Sequence, residues 1–282
     1  MNKSVCPTVK TNQTMKKEIP ILKLVERQGL HYEVNSTTPF TGTTVEHHKN
    51  GQLERKVSYK NGKRHGFWEY YHENGQFGGT GNYKDDKEEG LCETFYENGQ
   101  LESKENYIDG IPHGLHETYY ENGQLSQKVN YKNGREEGLC ETFYENGQLE
   151  WSGNFKNKIT STYEEYYKNG QLKERKVRKE DTCYFIEKFY ENGQLEEKTN
   201  YIDFFQEDGL FEKFHENGQL KEKGNFKNGK LHGPLERYHE GKLYSKDNYK
   251  NGKKDGPQLD FQGNTDIYKD GVFIETKYSE SW

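Results

Sequence analysis

No run of this 282-residue sequence approaches the roughly 18–20 consecutive apolar residues of a membrane-spanning helix. The opening stretch, MNKSVCPTVKTNQTMKKEIPILKLV, lacks the continuous apolar segment of a secretory signal. As written, the chain is expected in the cytoplasm; a signal upstream would make it secreted or envelope-associated. An excess of basic charge is also missing. The 41 Lys and Arg are interspersed with 47 Asp and Glu for a formal charge of −6. That excludes the basic stripe by which nucleic acid is held, and it disfavours an anionic lipid surface. Proline is scarce, at 6 residues, and only 29% of residues are hydrophobic, with a mean hydropathy of −1.29. A typical globular chain is about 45–50% apolar on a count that includes glycine. Too little apolar surface is available for a conventional core to offset chain entropy.

Two abundances argue for order all the same. Aromatic residues make up 14% of the chain and there are 30 glycines, whereas disordered chains are poor in Tyr and Phe. The glycines are periodic. Asn-Gly-Gln-Leu recurs with its glycine at Gly51, Gly75 (Phe77 in place of Leu), Gly99, Gly123, Gly147, Gly170, Gly193 and Gly218, with weaker echoes at Gly241 and Gly263. The fifteen residues EEGLCETFYENGQLE occur at Glu88–Glu102 and again, unchanged, at Glu136–Glu150, two periods later. A fixed period of this size marks a repeat architecture. Each period has two glycine turns separated by alternating segments of strand length, rich in Tyr, Phe and Thr. Asn-Gly between such segments predicts a two-residue type I′ hairpin turn.

The expected fold is therefore all-β: an elongated single-layer antiparallel sheet of about ten tandem β-hairpin repeats with a 22–25 residue period. Residues 1–38 are read as an arm with a leading strand, 39–263 as the repeats and 264–282 as a closing strand. A two-residue loop at Asn122-Gly123 sets Tyr120 opposite Leu125 and Glu117 opposite Lys128. The same register sets Glu69, Glu93, Glu141, Glu164, Glu187 and Glu212 opposite Thr80, Lys104, Ser152, Arg175, Lys198 and Lys223. Opposite charges across a strand pair contribute about 0.2–1 kcal/mol each and resist slippage of the register.

Chemistry-bearing residues do not assemble in this pattern. Cys92 and Cys140 stand two repeats apart, roughly 19 Å at the usual strand spacing, beyond the roughly 7 Å that a disulfide spans. Cys6 and Cys183 lie elsewhere, so free thiols and a reducing compartment are expected. His65, His113 and His232 recur at one turn position in different repeats, and no HExxH or CxxC spacing occurs. No metal and no cofactor are expected. Neither a G-x-S-x-G elbow nor a phosphate-binding loop is present, and the chain is expected not to be an enzyme. The candidate binding residues are the recurring tyrosines Tyr96, Tyr120, Tyr144, Tyr167 and Tyr190. Phe204 and Phe205 join them, in the irregular turn IDFFQEDG, because adjacent Phe residues at a loop tip suit a contact.

The motifs Y-K-N-G-K-R-H-G at Tyr59–Gly66 and Y-x-E-N-G-Q-L, with the lead-in PFTG at Pro39–Gly42, resemble the MORN-repeat variant family, which includes bacterial YwqK-type antitoxin-like proteins. The resemblance implies a β-hairpin array used for binding and brings no catalytic residues with it. The expected function is a non-enzymatic scaffold for a protein partner, with a toxin as the specific candidate. The alternative is an envelope-associated binder of glycan or lipid.

Overall fold

The computed structural model describes residues 17–156, 159–178, 183–202 and 206–278. Cys6, Phe204 and Phe205 lie outside the described residues. The chain divides into two compact units: the first runs through His116 and includes Glu121–Gly123, and the second comprises Glu117–Tyr120 and the chain from Gln124.

In the first unit the strands Gly42–His47, Leu53–Lys60, Lys63–Tyr71, Phe77–Lys84, Gly90–Phe95 and Leu101–Ile108 pair antiparallel in sequence order. The short strand Glu18–Pro20 runs parallel along the outer edge of Gly42–His47. A separate hairpin, Leu24–Arg27 with Leu30–Glu33, lies over this end. It is tied down by His31 N–H donating to Gly62 O (2.8 Å) and Phe40 N–H donating to His31 O (2.9 Å). Ile19, Phe40, Val57 and Tyr59 form a buried cluster there, with Leu24 and Trp68 packed against it. The lead-in PFTG has its explanation at this point. Phe40 fills the cluster, and a Cβ on Gly42 would stand 2.5 Å from the Lys17 carbonyl and 2.8 Å from the Phe40 ring.

The second unit repeats the same hairpin from Leu125–Lys132 onward. The segment after residue 263 supplies two strands, Thr265–Lys269 and Val272–Lys277, which close as one more hairpin.

The charged register is observed. Glu93 faces Lys104, Glu164 faces Arg175, Glu187 faces Lys198 and Glu212 faces Lys223. Glu69 faces Thr80 and Glu141 faces Ser152.

The turn type differs from expectation. At Gly99, Gly147, Gly170 and Gly193 the glycine has φ of 82–85°, but the preceding Asn is not left-handed. Gly99 N–H donates to Tyr96 O (2.8 Å) and Tyr96 N–H to Gln100 O (2.9 Å). This is a three-residue loop, a type I turn followed by a left-handed glycine. The ladder then shifts between Leu101 and Ser103, which restores the Glu–Lys register. Leu101 consequently faces Phe95 rather than Tyr96, and Leu149, Leu172, Leu195 and Leu220 likewise face Phe143, Tyr166, Phe189 and Phe214. The side chain of the turn Asn selects this geometry. Asn98 Oδ1 accepts from Gln100 N–H (2.8 Å), while Nδ2 donates to Glu121 O (2.8 Å). Type I′ turns do occur, at second turns among the described residues: Asn61-Gly62, Asn133-Gly134, Asn228-Gly229 and Asn251-Gly252 have both residues at positive φ.

Candidate binding surface

Alternation along each strand gives the sheet two chemically distinct faces. On one face Trp68, Cys92, Cys140, Thr199, Phe211 and Leu235 are turned into their neighbours, and the last five are buried. Large rings on this face lie against glycine. Trp68 pairs with Gly81 and Phe211 with Gly224, and a Cβ on either glycine would stand 2.7 Å from the ring. Cys140 pairs with Gly153, whose open space Trp151 and Phe155 fill. The same face carries ions that neutralise one another: Arg237 reaches both Glu222 (3.0 Å) and Asp247 (2.7 Å), and Lys254 reaches Asp247 (3.4 Å). Burial pushes the thiols of Cys92 and Cys140 up from their ordinary value, so both are free, protonated thiols with little nucleophilic character.

In the first unit this face and the N-terminal hairpin enclose a concavity of about 680 Å³. Its walls include Tyr59, Trp68, Tyr70 and Tyr83, with Arg55 and Arg64 set among Glu26, Glu46, Asp86 and Glu88. Arg64 is already committed: its Nε donates to Asp86 Oδ1 (3.2 Å), and its guanidinium lies 4.3 Å over the Tyr83 ring. With both signs of charge present, the concavity selects no one ligand class.

The five candidate tyrosines occupy one position, at the mouth of the first turn, and four of them tie one repeat to the next. Tyr120 Oη donates to Phe143 O (2.6 Å), Tyr144 Oη to Tyr166 O (2.8 Å), Tyr167 Oη to Phe189 O (2.8 Å) and Tyr190 Oη to Phe214 O (2.9 Å). Tyr96 stands at the equivalent position in the first unit, half-buried. Where the column changes residue the bond persists: His48 Nε2 donates to Tyr71 O (2.8 Å) and His72 Nε2 to Phe95 O (2.7 Å). Desolvation raises the pKa of all five tyrosines. Their hydroxyls stay protonated as donors.

The other face presents a row that sequence reasoning missed. The residue after the strand glycine, at Gly66, Gly90, Gly114, Gly138 and Gly209, is apolar and points to solvent. In the first unit these are Phe67 (72% exposed), Leu91 and Leu115; in the second, Leu139 (52%) and Leu210 (50%). Asn82, Asn106, Asn154 and Asn225 stand opposite Phe67, Leu91, Leu139 and Leu210. The signal was present in the sequence as G-F-W-E, G-L-C-E, G-L-H-E and G-L-F-E. In each, the residue after the exposed one is the one turned inward. Within the first unit Phe67, Leu91 and Leu115 follow one another two strand spacings apart, about 9–10 Å; in the second, Thr162 and Phe185 take the equivalent positions between Leu139 and Leu210.

Two residues along each strand, on this same face, runs the charged column. Its carboxylates are held from several sides. Tyr166 Oη donates to Glu164 (2.7 Å) and Tyr238 Oη to Glu236 (2.7 Å). Arg175 bridges Glu164 (2.9 Å) and Glu187 (3.4 Å), while Glu236 bridges Lys223 (3.0 Å) and Lys246 (2.8 Å). Hydrogen bonds from Lys246, Tyr238 and Lys223 hold the Glu236 carboxyl down at about 2. Desolvation, reinforced by the bond to Glu164, pushes Tyr166 up to about 12. The exposed apolar residues are thus bordered, on the same face, by charges held in fixed pairs.

Among the described residues no three His, Cys, Asp or Glu side chains gather as a metal-holding group, and no helix is long and apolar enough to cross a membrane.

A family model described as MORN repeat variant matches residues 40–61, 88–109, 112–133, 136–157, 160–179, 186–203, 207–228 and 231–251, more than half of the chain. No curated protein matches. Among solved structures, the chain is similar to TcdB2-TccC3, at 10% identity and a TM-score of 0.20 over 84% of this chain and 15% of that one. It is similar also to TcdB2-TccC3-Cdc42, at 10% identity and a TM-score of 0.18 over 86% of this chain and 15% of that one. The chain thus spans about 15% of the length of the structures it matches.

Proposed function

Because the chain belongs to the MORN repeat variant family and sets solvent-facing apolar side chains on hairpins of each unit, we propose that it is a non-enzymatic scaffold that binds a protein partner through them. The observation that carries this reading is the register-locked exposure of Phe67, Leu91, Leu139 and Leu210. A lone exposed Leu needs no explanation, but a repeated, aligned set is the kind of exposed apolar surface that marks an interaction site. The partner supplies an apolar ridge, with charges complementary to the Glu–Lys column on its rim. Neutralisation of a toxin, in the manner of an antitoxin or immunity protein, is the specific form proposed.

The test is affinity capture of the tagged full chain from its native cells, followed by identification of bound protein. One stoichiometric partner is expected, toxic when expressed alone and harmless when co-expressed with this chain. The variants Phe67→Glu with Leu91→Glu, and Leu139→Glu with Leu210→Glu, should lose that partner while keeping the circular dichroism and urea midpoint of the parent. A parent that captures no protein, or variants that retain the partner, would overturn the proposal.

A further inference from the structure

One hollow in the second unit arises where a repeat is a residue short. At the turn before it, Tyr190 Oη donates to Phe214 O (2.9 Å) and Asn192 Nδ2 to Glu216 O (2.8 Å), tying one repeat to the next. His215 and Asn217 hold those positions one period later. Neither side chain donates to the following repeat among the described residues; Asn217 only accepts from Gln219 N–H (3.0 Å). The histidine is not the cause, since His48 and His72 make the same bond as the tyrosines. The cause is the next turn. It reads His239-Glu240-Gly241-Lys242, with His239 paired to Lys242 and both loop residues at positive φ, 49° and 76°. A two-residue type I′ loop replaces the three-residue one, and the left-handed Glu240 redirects the carbonyl that Asn217 would otherwise meet.

The space left is a hollow of about 380 Å³, within the size range of small-ligand sites. His215, Lys221, His239, Tyr244 and Phe261 line it, beside the Glu222–Arg237 pair. Tyr244 is 41% exposed and Phe261 74%, so two rings there have uncovered surface. Arg237, Glu222, Asp247 and Lys254 form a closed set of two cations and two anions. Lys221 forms no ion pair among the described residues and leaves the hollow with one net positive charge. The two imidazoles add N–H donors without partners. We propose that this hollow binds an organic carboxylate that carries an aromatic ring. The carboxylate accepts from the Lys221 ammonium and the imidazoles, a charge-assisted arrangement, while the ring lies against Tyr244 and Phe261. A single net positive charge matches a monoanion, whereas a second negative charge, as on a phosphate, would stand unpaired beside Glu222. A free aromatic acid and a protein chain ending in an aromatic residue share this chemistry. The hollow is on the face of Phe211 and Arg237, opposite Leu139 and Leu210, so it stands or falls apart from the partner-binding residues.

Titration of the full chain, followed by the amide resonances of His215–Glu222 and Arg237–Tyr244, tests this. The probes are 3-phenylpropionate, its neutral amide, and a short peptide with a C-terminal Phe and a free carboxylate. Saturable shifts confined to those segments are expected from at least one of the two acids, with a Kd of about 0.1–5 mM for 3-phenylpropionate. The tighter of the two tells a free acid from a chain end. The amide should bind more weakly. Lys221→Gln should weaken the acid about 2–5-fold and leave the amide unmoved, and Phe261→Ser should weaken both about 3–10-fold. Both residues are exposed, so these variants should fold as the parent does. Insertion of Asn after Glu240 rebuilds the three-residue loop and should abolish binding while circular dichroism stays that of the parent. No saturable shift with either acid up to about 20 mM, an amide that binds as tightly as its acid, or a folded insertion variant that still binds would overturn the proposal.

Discussion

Gly224 is the position at which packing across the sheet is open to the sharpest test. Its backbone is ordinary for a strand, so the conformational freedom of glycine is not needed there. What is needed is space. A Cβ built on it stands 2.7 Å and 3.0 Å from two atoms of the Phe211 ring and 3.0 Å from Leu235 Cδ1. Phe211 and Leu235 are each only 3% exposed, and the Phe226 ring lies 4.9 Å from that of Phe211. Neither neighbour can swing into solvent. Gly224→Ala gains about 0.4–1 kcal/mol by restricting the unfolded chain and loses about 1–3 kcal/mol to overpacking. The expected net is a destabilisation of about 1–2 kcal/mol. Phe211→Leu, which withdraws the ring, should relieve the clash, so the two changes should couple by about 1 kcal/mol in a double-mutant cycle. Urea unfolding of the full chain measures the sum. Amide exchange in Gln206–Phe214 and Leu220–Lys227 measures the local part, which matters because repeat arrays store stability between neighbours. If Gly224→Ala proved more stable than the parent, with no coupling to Phe211, the glycine would not be there to admit the ring.

Further predictions concern charge, turns and modularity. The Glu236 carboxyl sits at about 2 in the fold against 4.5 for a free glutamate. Its contribution is therefore complete above about 4.5 and fades as pH falls toward 2. Because Lys223 and Lys246 are largely solvated, that contribution is about 1–2 kcal/mol. Glu236→Gln should be less stable than the parent at pH 7, and urea midpoints across the acid range should converge near pH 2. Asn146→Ala removes the bond from Nδ2 to Lys168 O (2.9 Å) and the acceptor for Gln148 N–H (3.0 Å). A loss of about 1–2 kcal/mol is expected in thermal or urea melts, and an unchanged midpoint would mean water replaces both bonds without penalty. Excising one period, residues 171–193, should leave a folded β protein by circular dichroism; collapse to a coil spectrum would contradict independent repeats.

Period, strand content, hairpin order and the Glu–Lys register were all legible, because each depends on local alternation repeated many times. Glu93 against Lys104 and Glu212 against Lys223 follow from counting residues between turns. Tyr120, Tyr144, Tyr167 and Tyr190 recur as the asparagines do: each bonds to a carbonyl one repeat away. Recurrence alone could not distinguish such a bond from a binding surface, because either produces the same column.

The sequence by itself determined the β-hairpin repeat and the cross-strand pairing of charges, since a period of two and a turn every dozen residues leave few alternatives. Only the tertiary structure decided which Asn-Gly turns are type I′, because the other Asn side chains bond to residues 22–24 positions away. It likewise decided which face of each strand is covered. Leu139 and Cys140 are adjacent in the sequence, yet one is 52% exposed and the other 2%, and what separates them is the strands that lie beside them in space.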